Sequence, residues 1–189
     1  MTIDITMNYT LRVLLVFIFL RAMLHKLSHY HHFTAQLERY RLLPTVSVPA
    51  FALFLLLLEG ALALALLRPS WPAPPFVAAG LLAVYSAAML INLIRGRTDL
   101  DCGCNGPAAF EQSISWALVI RNTVLGVLCM VIALPVTARV LAIPDIATIA
   151  LAACAVLLIY ASLEQAIANQ QRSRQYALRN ARDSLGFFE

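Results

Sequence analysis

The sequence predicts an all-α fold, a polytopic integral membrane bundle of about five transmembrane helices, and three observations carry that expectation. Hydrophobic residues make up 61% of the 189, charged residues 13%, and mean hydropathy is +0.78. That balance leaves too little polar surface to cover a soluble core. Polar residues gather at short junctions between apolar runs, and those runs reach the roughly 20 residues that cross about 30 Å of hydrocarbon.

The first span, residues 9–26, carries Arg12 and Arg21 inside it. Arg21 lies about 7.5 Å before Lys26 along a helix axis, near enough to the end to snorkel. A basic flank also suits a secretory signal, but no small-residue cleavage site follows Leu24, so the span is expected to be retained. The second, "VPAFALFLLLLEGALALALL" at 48–67, is entered after Pro44 and Pro49 and left at "RPSWPAPP". The third is expected over 75–94, the fourth over 114–134 and the fifth over 146–167. The segments "FTAQLERYRLL" and "ANQQRSRQYALRNARDSLGFFE", the latter a polar tail at 168–189, read as helices lying outside the hydrocarbon. No repeat or low-complexity linker divides the chain, so residues 1–189 form one membrane domain.

The net charge of +4 has its source at the ends of the spans. No basic stripe with interleaved aromatics is present, which excludes nucleic acid in favour of the lipid bilayer as the partner of these charges. Lys26, Arg39, Arg41, Arg95, Arg97 and the tail arginines 172, 174, 179 and 182 fall on one side, with only Arg12, Arg68 and Arg139 on the other. The excess of basic residues on cytoplasmic loops then puts the N-terminus outside and the loop after the third span inside.

That loop, "DLDCGCNGP" at 99–107, holds the chemistry. Cys102 and Cys104 flank Gly103, with Gly106 close by, on a short polar hinge where the backbone can take conformations closed to other residues. A disulfide between positions i and i+2 closes a strained ring, and strain raises its reduction potential, which suits an oxidant or an exchanger better than a structural staple. The bland alternative, two small residues in a turn, is less economical, since Asn-Gly alone makes such a turn. Asp99 and Asp101 raise a thiol pKa, whereas a helix N-terminus facing the loop lowers it. Cys129 and Cys154 lie within spans, where a thiol acts as a small hydrophobe, and both are expected to pack.

Two further constellations stand out. In "HKLSHYHH", His25, His29 and His32 share a face if the first helix continues through them, and with two thiolates they could complete a soft tetrahedral metal site. The competing and favoured account is that His and Tyr suit a headgroup interface. Glu59 in the second span and Arg121, beside Asn122, in the fourth are intramembrane polar groups that should face the bundle interior and find partners. An ion pair between Glu59 and Arg121 is the default expectation, with helix packing and proton or electron transfer as equally weighted roles.

The order "HKL", "YRLLP", the glutamate of "LLEGALAL", "DCGC" with a following Gly-Pro, and "RN" resembles the MauE family of methylamine utilisation proteins, within the wider MauE/DoxX group of redox-associated membrane proteins. The likeness runs from about residue 11 to residue 167. It falls on Lys26, Tyr40, Pro44, Glu59, Cys102, Gly103, Cys104, Gly106 and Asn122. Relatives often carry Phe where this chain has Asn105, a change that leaves the thiols in place.

The resemblance implies a four-helix DoxX-like core plus one helix, in a bacterial inner membrane. It also implies a role in maturing the disulfide-rich small subunit of methylamine dehydrogenase with a thioredoxin-like partner; no cofactor is fixed, but a membrane component of this kind could pass electrons between that partner and quinone. A thiol-disulfide oxidoreductase component is the enzymatic version of this reading. It favours a periplasmic cysteine loop, against the basic-residue bias. The rival classes are a Cu or Zn binding or transport protein using the Cys pair and the His cluster, and a non-catalytic membrane scaffold.

Overall fold

The computed structural model describes residues 2–97, 114–137 and 139–186. Its architecture is helical, and among the described residues the only β pairing is an isolated bridge, Ile3 with Val136. The helices are α1 (Ile5–Ser28), α2 (Tyr30–Tyr40), α3 (Val48–Leu66), α4 (Ala73–Ile94), α5 (Trp116–Ile132) and α6 (Ile143–Gly186), with a single 3-10 turn (Thr45–Ser47) before α3.

Local chemistry sets the boundaries. Asp4 starts α1 earlier than hydropathy suggests, since its carboxylate accepts from the Thr6 amide at 2.8 Å. Hydrogen bonds from the Thr6 hydroxyl and amide also hold that carboxyl below the usual carboxylate range. Pro49 and the Pro74-Pro75 pair sit in the first turns of α3 and α4, where a missing N–H is no loss. Helix α4 stops at Gly96, whose φ of +71° lets its amide reach Leu93 O at 3.0 Å while Arg97 N reaches Asn92 O at 3.0 Å.

α1 is the hub. It touches α2, α3, α5 and α6, while α4 packs against α3 and most extensively against α5. The core joins Leu15 and Phe19 of α1, Ala52, Leu55, Leu62 and Leu66 of α3, Ala78, Leu81 and Leu82 of α4, and Leu125, Cys129 and Ile132 of α5. Outward faces are apolar as well, as at Leu57 and Leu64 on α3 and Ile120 and Val127 on α5, the pattern of helices solvated by lipid. Among the described residues four helices are long and apolar enough to cross a membrane, and α5 is shorter. At 17 residues α5 spans about 25 Å.

Three expectations change. The fifth span and the tail are one continuous helix of 44 residues, about 66 Å long, because neither Gly nor Pro interrupts the run from 145 to 185. His29 breaks the first helix at φ −127° and ψ 43°, so His32 belongs to α2 and the three histidines do not share one helical face. Lys26 lies inside α1, 1% exposed, and Arg12 is buried with bonds to Asn8 Oδ1 (2.7 Å) and Leu66 O (3.0 Å). Neither belongs in a count of loop charges, although the bias carried by Arg39, Arg41, Arg95 and Arg97 stands.

Gly60 of α3 lies against Met23 of α1. A Cβ built there would lie 2.6 Å from Met23 Sδ, closer than carbon and sulfur tolerate. Gly60→Ala should be mild, because a thioether end can swing away. Gly60→Leu should destabilise by about 1–3 kcal/mol, and Met23→Ala in the same chain should restore part of the loss, as read by thermal unfolding in detergent.

Candidate functional site

Cys102, Gly103, Cys104 and Gly106 lie outside the described residues. What is described is the frame that carries their loop. Met89 on the last turns of α4 packs with Ile114 and Leu118 at the start of α5 and with Tyr40 at the end of α2. The loop therefore leaves and re-enters the bundle at the end where α1 finishes, α2 folds over and α3 begins.

Lys26 comes off the last turns of α1 and points into the bundle, where Glu59 and Tyr85, near the middle of α3 and α4, face it. Lys26 and Glu59 are each 1% exposed. Lys26 Nζ donates to Glu59 Oε1 and to Tyr85 Oη (3.0 Å), and the Tyr85 hydroxyl donates to Glu59 Oε1 at 2.7 Å. The ammonium also lies over two rings, 5.0 Å from the Phe33 centroid and 4.7 Å from that of Tyr85. Phe33 arrives because α2 breaks away at His29 and lays its buried face, Phe33, Gln36 and Tyr40, across the top of α3. Desolvating two ions is costly, so a pair of this kind is weak evidence for stability and strong evidence for a constraint on packing or chemistry.

Arg121 does not pair with Glu59, as the sequence suggested. Its partner is Glu164 of α6, at 3.0 Å, and Glu164 is shared with Arg21 of α1 (2.6 Å) and accepts the Tyr160 hydroxyl (2.6 Å). Distance along the chain hid this pairing. Lys26 meets Glu59 across the α1–α3 seam, whereas Arg121 faces Glu164 of α6.

Between the two clusters is a cavity of about 30 Å³ whose walls include Glu59, Tyr85, Arg121, Asn122 and Tyr160, the share of volume of about one water molecule. Glu59 Oε2 and Asn122 Nδ2 are buried with no hydrogen-bond partner among the described residues. The first is an acceptor and the second a donor, and Glu59 and Asn122, both marked by the sequence, border the same small cavity.

The remaining cysteines and histidines behave differently. Cys129 is fully buried in the core, as expected, but Cys154 lies on an exposed face of α6. The His25 and His29 rings are 4.9 Å apart, yet among the described residues no group of three His, Cys, Asp or Glu is placed to hold a metal. Tyr85, Tyr160, Arg21 and Glu164 escaped the sequence reading as site residues. The signal for Glu164 was a lone acid at the end of an apolar span; that for Tyr85 was a hydroxyl in mid-span, beside Ser86.

The buried pair gives a double-mutant test. Lys26→Met strands the carboxylate and Glu59→Gln strands the ammonium, and each should cost about 3–5 kcal/mol. The combined variant should recover most of that loss, giving a large coupling energy in steric-trap unfolding measurements. Additive losses would mean the two groups do not depend on each other.

Residues 5–136 match the family described as methylamine utilisation protein MauE. The chain is 40% identical over 158 residues to the Methylamine utilization protein MauE of Paracoccus denitrificans, covering 82% of this chain and 83% of that one. It is 39% identical over 159 residues to that of Paracoccus versutus (82% and 84%), and 35% identical over 141 residues to that of Methylophilus methylotrophus (74% of each). No solved structure matches. The matched segment takes in Lys26, Glu59, Tyr85, Asn122 and the cysteine pair, and stops before α6. This multi-pass membrane protein belongs to the MauE family of methylamine utilisation proteins.

Proposed function

We propose that the chain serves the maturation of the disulfide-rich small subunit of methylamine dehydrogenase by thiol-disulfide exchange at Cys102 and Cys104, working with a thioredoxin-like partner. The observation that carries the reading is the Cys-Gly-Cys sequence on a hinge between two spans of a MauE-family chain. Membership in a methylamine utilisation family supplies the system, and the strained i to i+2 ring supplies the chemistry.

The exchange balances simply. A thiolate of the partner attacks the Cys102–Cys104 disulfide, forming a mixed disulfide and releasing one thiolate of this chain. The partner's second thiol then displaces the other sulfur, so the partner leaves oxidised and this chain holds two thiols. Two electrons and two protons have entered the chain. A quinone takes them and leaves as quinol, restoring the Cys102–Cys104 bond. The inner membrane fits this cycle, because it holds the lipid-soluble acceptor beside the compartment in which disulfides persist.

Cys102→Ser and Cys104→Ser should each abolish accumulation of mature dehydrogenase in methylamine-grown cells. One of the two should trap a covalent adduct with a thioredoxin-like protein that reductant releases on a non-reducing gel. Normal maturation in the double Ser variant would defeat the proposal and favour a scaffold. Labelling Cys102 and Cys104 with a membrane-impermeant maleimide in intact cells should succeed only after reduction, which places the loop outside and reports its redox state together.

A further inference from the structure

The geometry points to a binding site for a quinone ring in the cavity above Lys26. The cavity holds about 240 Å³ and lies between α2, α3 and α4. An apolar cavity of about 150 Å³ accepts a benzene, so this one has room for a ring with substituents. Phe33, Tyr40, Phe51 and Tyr85 supply aromatic walls, and Lys26 is the charged group lining it.

Four features select the occupant. Val84, in the middle of α4, both lines the cavity and is 54% exposed on the outward face. The cavity therefore reaches the apolar outer face of α4 as well as the α2–α3 connection at the exposed Leu42, and a molecule dissolved in hydrocarbon can enter past Val84. Lys26 carries three N–H donors, and two of them are taken by Glu59 Oε1 and Tyr85 Oη. The third is left for an acceptor in the cavity. Glu59 already neutralises the ammonium, so an anionic ligand would bring an uncompensated charge into a dry site, and a neutral acceptor would not. Aromatic walls favour a flat ring over a flexible chain. A neutral, flat, lipid-soluble ring with carbonyl acceptors is a quinone. An acyl chain fits the walls but leaves the Lys26 donor without an acceptor, and a phospholipid headgroup is both charged and confined to the interface.

The role of such a ligand rests on the redox reading above, for which it would be the electron acceptor; its binding does not. Tyr40 of the cavity wall packs in the same cluster as Met89, Ile114 and Leu118, which frame the cysteine loop, so the acceptor site and the loop share one end of the bundle.

The test is equilibrium binding of ubiquinone-1 to the purified full-length chain in phospholipid nanodiscs, beside the matching methoxytoluene ring without carbonyls and beside dodecane. Ubiquinone-1 should bind saturably, and the carbonyl-free ring roughly ten-fold more weakly or worse, the cost of a buried donor left without its acceptor. Ala88→Phe, which fills the cavity, and Lys26→Met with Glu59→Gln, which removes the donor and leaves no lone charge, should each weaken ubiquinone-1 binding at least roughly ten-fold. Absence of saturable ubiquinone-1 binding overturns the inference. Equal binding of the carbonyl-free ring or of dodecane assigns the cavity to a lipid chain and overturns it too. Cys102→Ser with Cys104→Ser should bind ubiquinone-1 normally. If that variant also matures the dehydrogenase, the redox reading fails and the site stands. If it does not mature the enzyme and the wild-type chain binds no quinone, the site fails and the redox reading stands.

Discussion

An ammonium and a carboxylate meeting in the middle of an apolar bundle is the constraint around which the rest of this chain is arranged. Neither Lys26 nor Glu59 is tolerable in hydrocarbon by itself, and their pairing fixes α1 against α3. Tyr85 brings α4 to the same point, and Phe33 holds α2 over it. In lipid, where apolar surface gains little from leaving the solvent, such polar contacts and close small-residue approaches decide which helix faces meet. The Gly60 contact with Met23 belongs to the same α1–α3 seam, and lets the backbones come near enough for the lysine to reach across.

α6 is held by a different logic. Among its described side chains only Ala153, Glu164 and Ala168 are buried. Apolar packing therefore does little to locate it, and the link of Glu164 to Arg21 and Arg121 does more. The two ionic clusters, one binding α1 to α3 and the other binding α1 and α5 to α6, face each other across the small space between Glu59 and Asn122. The polar content of this membrane domain is thus close to contiguous, running from α2 to α6.

Much of this architecture was legible in the residues. Helical spans follow from hydropathy alone, since lipid leaves the backbone no alternative to internal hydrogen bonds, and the proline-marked starts of α3 and α4 fell within two residues of expectation. Boundaries set by a cap or a missing breaker were harder: Asp4 extends α1, and the uninterrupted composition after Ile167 extends α6. Glu59 and Arg121, with Asn122, announced themselves as costly groups in apolar surroundings, but their partners did not, and Lys26 was counted with the loop charges. Pairing depends on the rotation of each helix about its axis, which near-uniform hydrophobicity around α3 and α4 does not encode. Cys154 shows the same limit, because a thiol on a lipid-facing helix is as apolar inward as outward.

Burial of charges on α1 bears on how the protein is made. Synthesis delivers α1 before α3 and α6, with Arg21 and Lys26 still without their acidic partners. Glu59 follows 33 residues after Lys26, and Glu164 comes 143 residues after Arg21. Until those acids emerge, α1 is a poor candidate for release into bulk lipid, and it must linger beside the insertion machinery or at the bilayer rim. Assembly is therefore ordered against the direction of synthesis: α1, made before the helices that neutralise it, is fully at home only after α6.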